Sequence, residues 1–307
     1  MNAEYNLLKP YVRRERNRKM SNYVIHTDSA CDLTPEMLKA WGVRSASLTY
    51  KFENSDTVYD ENSLPITEFY DAMKAGKIAK TAAVNAESFT ALFEEDLKAG
   101  LDVLYIGFSS GLSATYNCAR IAALELQKKY PERKIMAFDT LMASAGTGLY
   151  IRLLLDKKEE GATMEELVRY AEEIKFKVSA WFTVDDLVYL KRGGRVSPTT
   201  AFVGNMLGIK PILHVDNEGH LVKVTTARGR RGSIMALADK YGELCENPAT
   251  DKVYISHGNC EEDAKALADI LKEKYGATVS VITFVGSVIG AHSGPGTLAL
   301  FYVGKER

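Results

Sequence analysis

The sequence predicts an α/β protein of two domains, 20–178 built on a doubly wound parallel sheet and 179–307 built on a smaller mixed sheet. Strand-like and helix-like segments alternate with short connections through the first half, which is typical of a parallel sheet covered by helices. From about residue 179 the pattern changes and includes a hairpin. A chain of 307 residues also exceeds the usual size of one domain.

The first elements follow from β-rich runs and helix caps. Residues 23–27 form a short β-rich run, and a second run covers 43–50. Between them, Thr34-Pro35 predicts a helix start, because threonine caps a helix and proline suits its first position. That helix is expected to end at Gly42. A longer helix is predicted over 86–98, where the apolar residues fall on one face.

The middle of the chain continues the alternation. LDVLYIGFSS, residues 101–110, is an apolar run of the kind that a parallel sheet buries on both faces. After it we predict a helix over 113–130, a strand over 134–140, a helix over 145–158 and a helix opened by the capping box of Thr163 and Glu166. DSACD, FSSGLSATY and FDTLMAS come at the carboxyl ends of the strands, where ligands bind in such sheets.

The second half combines hairpin, strand and helix signals. Two β-rich runs, 210–216 and 220–227, flank the turn residues Asn-Glu-Gly and predict a hairpin. The elements expected after it are a helix over 230–245, a strand at 252–258, a helix capped by Asn259 and Glu262, and strands at 278–285 and 297–303. The last two strands bracket GAHSGPG, residues 290–296, which we interpret as a glycine-rich loop.

Charge and hydropathy exclude several classes of function. A formal net charge of −1 gives no reason to expect nucleic acid or an anionic membrane as the main partner. The basic run RRERNRKM, 13–20, is interpreted as part of a flexible, solvated extension, so residues 1–19 are expected to lie outside the fold. A nucleic-acid arm is the alternative. No apolar run approaches the roughly 18–20 residues that a membrane span needs.

Cysteine and histidine usage argues against a disulfide scaffold or a metal site. The four cysteines lie far apart without a C-x-x-C pair, so we expect reduced thiols in a cytoplasmic protein. The five histidines are scattered, and neither a zinc site nor a nucleotide-binding glycine loop is apparent, so no metal or cofactor is expected. Asp28 and Asp32 suggest magnesium, but Asp32 fits better as a polar residue favourable to a helix dipole.

One short motif raises the possibility of a serine hydrolase. Residues 107–111 match G-x-S-x-G after a strand and before a helix, with Ser109 at the nucleophile position. Asp139, Asp185 and His292 follow in the chain order of that fold. LSATY nevertheless intervenes before the helix, whereas a nucleophile elbow turns straight into its helix, so this function stays an alternative.

An anion site is a second interpretation of the same loop. Hydroxyl groups and free N–H groups at a helix N-terminus bind a carboxylate or phosphate without a cationic partner. Ser113 and Thr115 stand at such a place, and Thr81 precedes another predicted helix. Arg195 lies in a loop whose glycines permit unusual backbone angles. The plainer alternative is that these hydroxyl groups only cap a helix.

Seven stretches together resemble the DegV family, which includes the fatty-acid-binding subunits of bacterial fatty-acid kinase. They are HTDSACDL, KTAAVNAESF, SSGLSATYNCA, FDTLMAS, YLKRGGRVS, GIKPIL and GAHSGPGTL, in family order and across nearly the whole chain. The resemblance implies an N-terminal three-layer parallel-sheet domain, a C-terminal two-layer mixed-sheet domain and a long-chain fatty acid between them. AAVN after Thr81, and Ala114 in LSATY, depart from the family pattern near the presumed head-group site.

The resemblance also implies which residues hold the ligand. Thr81, Ser113 and His292 match the residues that hold the fatty-acid carboxylate. Around them the resemblance places Thr115, Ser293 and Gly294 at the ligand, Asp28 and Ser29 behind it, and Arg195 and Arg228 towards a phosphate or the partner kinase. The small residues beside His292 are expected to let backbone and imidazole approach the head group closely.

The function expected from the resemblance is that of a lipid-binding accessory protein rather than an enzyme. It would present a fatty-acid carboxylate to a separate ATP-dependent kinase for acyl-phosphate formation, with at most transient membrane contact. The alternatives are a serine hydrolase that uses Ser109 and His292, and a binding module for another small anionic or apolar ligand.

Overall fold

The computed structural model describes residues 22–196, 208–248 and 251–307, and the expected extension over residues 1–19 lies outside these ranges. The strands are β1 (Tyr23–Asp28), β2 (Arg44–Ala46), β3 (Thr49–Phe52), β4 (Tyr59–Asp60), β5 (Ala79–Ala82), β6 (Asp102–Gly107), β7 (Ile135–Asp139), β8 (Val178–Thr183), β9 (Ile209–Val215), β10 (Leu221–Arg228), β11 (Val253–His257), β12 (Val279–Phe284) and β13 (Leu298–Val303). The helices are α1 (Pro35–Trp41), α2 (Ile66–Lys74), α3 (Ala86–Lys98), α4 (Thr115–Lys129), α5 (Ala145–Glu159), α6 (Met164–Ile174), α7 (Val188–Arg192), α8 (Gly229–Leu244), α9 (Glu261–Tyr275) and α10 (Ser287–Ser293).

The first half contains the expected parallel sheet. Its four strands lie in the order β2-β1-β6-β7, and every neighbouring pair is parallel. β6 is buried from Val103 to Gly107, as its continuous apolar sequence predicts for a strand covered on both faces. Helices α3 and α4 contact this sheet on one side, and α5 contacts it through β6. The prediction of a doubly wound arrangement is confirmed.

Several helix boundaries follow the capping chemistry of the sequence. The Thr34 side chain accepts a hydrogen bond from Met37 N, and Gly42 ends α1 with a φ of 65°. Thr163 and Glu166 form the complete capping box of α6. The predicted cap of α9 is wrong, because Cys260 occupies the N-cap position without a side-chain hydrogen bond. Asn259 instead has a left-handed φ of 59°, so its backbone makes the turn into the helix.

The predicted strand over 43–50 is wrong as a single element. It divides into β2, which joins the parallel sheet, and β3, which starts a separate antiparallel sheet in the order β4-β3-β5. Leu48, between the two strands, is buried. Its backbone N–H donates to the Ser29 hydroxyl at 3.0 Å, which fixes the chain where it leaves one sheet for the other.

The second half builds a mixed six-stranded sheet in the order β10-β9-β8-β13-β11-β12. The predicted hairpin is confirmed as the antiparallel pair of β9 and β10, whose turn places Gly219 at a φ of 77°. The β11–β12 pair is parallel, whereas the pairs that join β8, β11 and β13 are antiparallel. Helices α8 and α9 pack on the outer face of this sheet around the buried Leu237 and Leu267.

The stretch that we expect to be a loop, residues 290–296, begins as a helix. α10 spans Ser287–Ser293, and Gly294 ends it with a φ of 84°. Tertiary packing holds this short helix, since Val288 and Ala291 are buried against aromatic residues of α2 and β3. The loop prediction is therefore wrong for its first half, and His292 lies on the last turn of a helix.

Helix α5 joins the two sheets. From Ala145 to Ile151 every residue of α5 is buried, and the helix contacts β6 of the parallel sheet as well as β8, β11 and β13 of the mixed sheet. One apolar cluster accordingly includes Ile106, Leu149 and Phe301 from all three layers. Helix α5 thus covers part of the inner face of the mixed sheet, and another part of that face lines the cavity described below.

Candidate functional site

A cavity of about 280 Å³ lies where residues of the first half face the mixed sheet. This volume is just below the range of about 300–1,000 Å³ that is typical of small-molecule sites. Most of its wall is apolar and comes from Leu48, Ala82, Ala83, Phe108, Leu112, Ala143, Ala180, Phe182, Leu190, Val215, Leu221, Val285, Val288, Ile289, Ala299 and Phe301. Hydroxyl groups, His292 and Arg195 provide the polar part.

Three of the predicted ligand residues line this cavity together. Thr81, on β5, and His292, on α10, are joined by a hydrogen bond of 2.8 Å between Oγ1 and Nε2. Ser113 lies in the turn before α4 and also faces the cavity. The bond joins two residues 211 positions apart, and we use the name head-group cluster for these two residues and Ser113, which lines the same cavity: Thr81, Ser113 and His292.

The imidazole of His292 is held in a neutral state. Burial lowers its pKa to about 4, and the positive charge of Arg195 acts in the same direction. Within the described residues its Nδ1 atom has no hydrogen-bond partner. A Cβ placed on Gly193 would stand 2.0 Å from Nδ1, so only glycine at that position lets the backbone pass the ring.

Arg195 borders the head-group cluster but already has its own acceptors. Its Nε and Nη2 atoms donate to the Leu112 carbonyl at 3.2 and 3.0 Å, and Nη1 donates to the Gly193 carbonyl. The side chain therefore ties the turn before α4 to the loop after α7. Arg228, the other predicted arginine, is exposed at the end of β10 and does not line the cavity.

Asp28 and Ser29 lie behind the cavity wall. Asp28 accepts hydrogen bonds from the Tyr105 hydroxyl, Phe108 N and Ala30 N. Burial raises the pKa of Asp28 to about 6. Its bond to Phe108 N, together with the Ser29–Leu48 bond described above, fixes two residues that contact the cavity.

The remaining predicted ligand residues divide into two groups. Ser293 is buried and lines the cavity. Thr115 is fully buried and bonds to the Ser113 hydroxyl at 2.9 Å, so it orients Ser113 from behind. Gly294 does not line the cavity and packs against Tyr189, which an added Cβ would meet at 2.3 Å. The small residues beside His292 are expected to allow a close approach to a ligand head group. At Gly294 the close approach is instead to the side chain of Tyr189.

The residues of the hydrolase alternative are not brought together. Ser109 is fully buried and donates to the Gly219 carbonyl at 2.9 Å, whereas His292 bonds to Thr81. Asp139 accepts hydrogen bonds from Ser110 N and Leu141 N, so it holds the backbone of its own loop and of the loop after β6. A serine nucleophile requires a hydrogen-bonded base, and this arrangement supplies none.

The structure adds polar residues that sequence reasoning missed. Ser144, Ser256 and Thr297 line the cavity, and Ser144 and Ser256 are joined by a hydrogen bond of 2.8 Å. Ser144 also donates to Asp32, which is buried, and the interpretation of Asp32 as favourable to a helix dipole stays a prediction. The stretch FDTLMAS places Ser144 near the end of a predicted strand, where ligands bind. No sequence pattern identified Ser256, which lies inside a buried strand.

The residues that the structure describes contain neither a metal-binding cluster nor a helix able to cross a membrane. Among residues 22–196, 208–248 and 251–307, no group of three or more histidine, cysteine, aspartate or glutamate side chains is arranged to hold a metal ion. None of the helices assigned in those ranges combines the length and apolarity that a membrane crossing requires.

Comparison with known proteins identifies the family. The family model described as "Uncharacterised protein, DegV family" matches residues 22–305. The chain belongs to the DegV family. A DegV domain-containing protein of Clostridium perfringens is 39% identical over 289 residues, which cover 94% of this chain and 99% of that protein.

Solved DegV structures share the fold of this chain. A DegV lipid-binding protein of Thermotoga maritima has a TM-score of 0.82 at 30% identity and covers 93% of this chain and 99% of its own. A fatty-acid-binding DegV-family protein of Thermus thermophilus has a TM-score of 0.83 at 27% identity, with 92% and 99% covered. DegV of Bacillus subtilis, a fatty acid binding protein, has a TM-score of 0.80 at 29% identity, with 93% and 100% covered.

The lowered pKa of His292 predicts a specific pH dependence of stability. In the unfolded chain this histidine takes up a proton near its ordinary pKa of 6.5, whereas in the folded protein it does so only near pH 4. The stability of the wild type relative to His292→Gln should therefore fall, by on the order of 2 kcal/mol, as the pH drops from 6.5 to 4. Urea unfolding of both proteins across that range measures the difference. A difference that stays flat or increases in acid would contradict the buried, neutral imidazole.

Proposed function

We propose that this DegV protein binds a long-chain fatty acid in the cavity and presents its carboxylate to a separate ATP-dependent kinase. The observation that carries the proposal is the composition of the cavity wall: an extended apolar surface with the head-group cluster at one place on it. Three related structures of the same fold are described as lipid-binding or fatty-acid-binding proteins, which supports the same ligand class.

The hydrocarbon chain supplies the binding energy. Transfer of about 14 methylene groups from water to an apolar wall, at about 0.8 kcal/mol each, gives on the order of 11 kcal/mol before the costs of ordering the ligand. That gross energy is sufficient to retain a fatty acid without a covalent bond. The carboxylate enters with the chain, and it must be hydrogen-bonded because an unpaired buried charge is very costly.

The neutral state of His292 suits it to this task. A neutral imidazole donates through one nitrogen and accepts through the other. When Nε2–H donates to the Thr81 oxygen, the Thr81 hydroxyl proton is free to point at a ligand carboxylate. Ser113, which accepts from Thr115 N at 3.2 Å, supplies a second hydroxyl. Arg195 adds positive potential nearby while its own N–H groups remain on backbone carbonyls.

This arrangement leaves the carboxylate open to reaction. Hydroxyl donors can hold one oxygen and leave the other free, whereas a bidentate arginine would occupy both. Ala82, Ala83 and Ala114 border the cluster and are exposed, so the head group lies near the surface of the protein. In the kinase reaction the free carboxylate oxygen would attack the γ-phosphorus of ATP, forming the acyl phosphate and releasing ADP.

Removal of the Thr81 hydroxyl should weaken fatty-acid binding. Thr81→Val keeps the side-chain volume but loses a hydrogen bond to a charged group, so we expect the Kd for stearate to rise about tenfold. Titration calorimetry on delipidated protein measures this Kd, with Thr225→Val, an exposed threonine of β10, as the matched control. Failure of the wild type to bind stearate, or to release any fatty acid on organic extraction, would rule out the proposed ligand and favour another small apolar or anionic one.

The kinase step is tested by product trapping. Stearate-loaded protein, ATP and a bacterial fatty-acid kinase should yield acyl phosphate, which hydroxylamine converts to a hydroxamate that mass spectrometry detects. The protein with ATP alone should yield none, because the proposal assigns the chemistry to the partner. Hydroxamate formed without the kinase would instead make this chain an enzyme, and its absence in the complete mixture would remove the presentation role while leaving fatty-acid binding intact.

A further inference from the structure

One serine interrupts the apolar inner face of the mixed sheet. Ser256 on β11 lies opposite Ala299 on β13, which in turn lies opposite Phe182 on β8. All three residues line the cavity, and Ser256 is completely buried. A hydroxyl in such a row adds nothing to the burial of a plain hydrocarbon chain and costs free energy unless its hydrogen bonds are made.

The hydroxyl of Ser256 ends a chain of hydrogen bonds that starts at a buried acid. Its Oγ lies 2.8 Å from the Ser144 Oγ, which is also bonded to the Asp32 carboxyl. Burial and the neighbouring Glu61 carboxylate raise the pKa of Asp32 well above its ordinary value. Because Ser144 donates to Asp32, Ser256 donates to Ser144, and the Ser256 oxygen is left to accept a hydrogen bond from a donor in the cavity.

Ser293 provides an independent observation in the same cavity. It lies on α10, on another part of the wall, and only 5% of it is exposed. Its Oγ has no hydrogen-bond partner within the described ranges of the chain. Buried hydroxyl groups in proteins are nearly always paired, so an unpaired one that lines a ligand cavity points to a polar atom supplied by the ligand.

The charged groups around the cavity indicate which polar atom of a ligand can bind at Ser256. The basic side chains of the cavity wall are Arg195 and His292, both of which belong to or border the head-group cluster. The hydrogen-bond network of Ser256 ends at the Asp32 carboxyl and includes no basic side chain, so it offers no positive charge to a second carboxylate. A neutral hydroxyl group on the hydrocarbon chain needs no counter-charge and can donate to the Ser256 oxygen.

We propose that Ser256, held by Ser144, forms a second polar contact point for a hydroxyl group on the hydrocarbon chain of the ligand, and that Ser293 offers a separate hydroxyl to the same ligand. The ligand class is a long-chain carboxylic acid that carries a hydroxyl group along its chain. This inference rests on the proposed fatty-acid function, because the carboxylate of the same molecule would occupy the head-group cluster.

Competition binding with matched acids tests the proposal. The probes are stearate, a panel of hydroxystearates that differ only in the carbon bearing the hydroxyl, and octadecanedioate, which carries a second carboxylate. At least one hydroxystearate should bind the wild type as tightly as stearate or more tightly, and octadecanedioate should bind more weakly than stearate. In Ser256→Ala the ratio of stearate Kd to that hydroxystearate's Kd should fall about tenfold, since one buried hydrogen bond is lost.

A matched variant separates this effect from general damage. Ser179→Ala removes a buried β8 hydroxyl that bonds to the Glu306 carbonyl and does not line the cavity, so the ratio should stay at its wild-type value. Thermal unfolding checks that each variant folds. If Ser256→Ala does not fold, Ser293→Ala is tested instead, and for that variant we expect a smaller fall in the ratio of the two Kd values. An unchanged ratio in both cavity variants, with stearate still bound, would overturn this inference alone. Absence of stearate binding to the wild type would instead contradict the proposed function.

Discussion

The apolar inner face of the mixed sheet is the constraint on which the rest of the structure depends. Residues such as Phe182 and Phe301 must be kept from water, and α5 covers only part of that face. The remaining part borders the cavity instead of being filled by side chains. Since protein interiors are otherwise close-packed, an apolar space of this size at the junction of two sheets is the basis of the proposed ligand site.

The head-group cluster depends on how α10 is seated over that space. The Glu61 carboxylate accepts from Ser287 N at 2.5 Å at the start of the helix. Further along, Gly290 packs so closely on Tyr70 that an added Cβ would meet its hydroxyl at 2.6 Å. The same Tyr70 hydroxyl donates to the Val285 carbonyl, so α2 holds both ends of the segment that leads to His292. The imidazole therefore reaches Thr81 from a fixed helix.

Much of the fold could be predicted from the sequence because its signals are local. The cap at Thr34, the capping box of α6 and the unbroken apolar run of β6 each depend on residues adjacent in the chain. The helix α10 could not be predicted, because Val288, Ile289 and Gly290 are poor helix formers that tertiary packing, on α2 and β3 among others, holds in place. The resemblance to a family supplied the roles of Thr81 and His292, whereas no local pattern identified Ser256, which meets Ser144 across 112 residues.

The central claim is that one polar cluster on an apolar cavity holds a fatty-acid carboxylate, and a crystal structure of the protein with stearate tests it most directly. The account predicts a carboxylate oxygen within about 2.6–3.2 Å of the Thr81 and Ser113 hydroxyl oxygens, with the hydrocarbon chain against Phe182 and Phe301. A carboxylate bound beside Ser256, or a ligand outside this cavity, would contradict it.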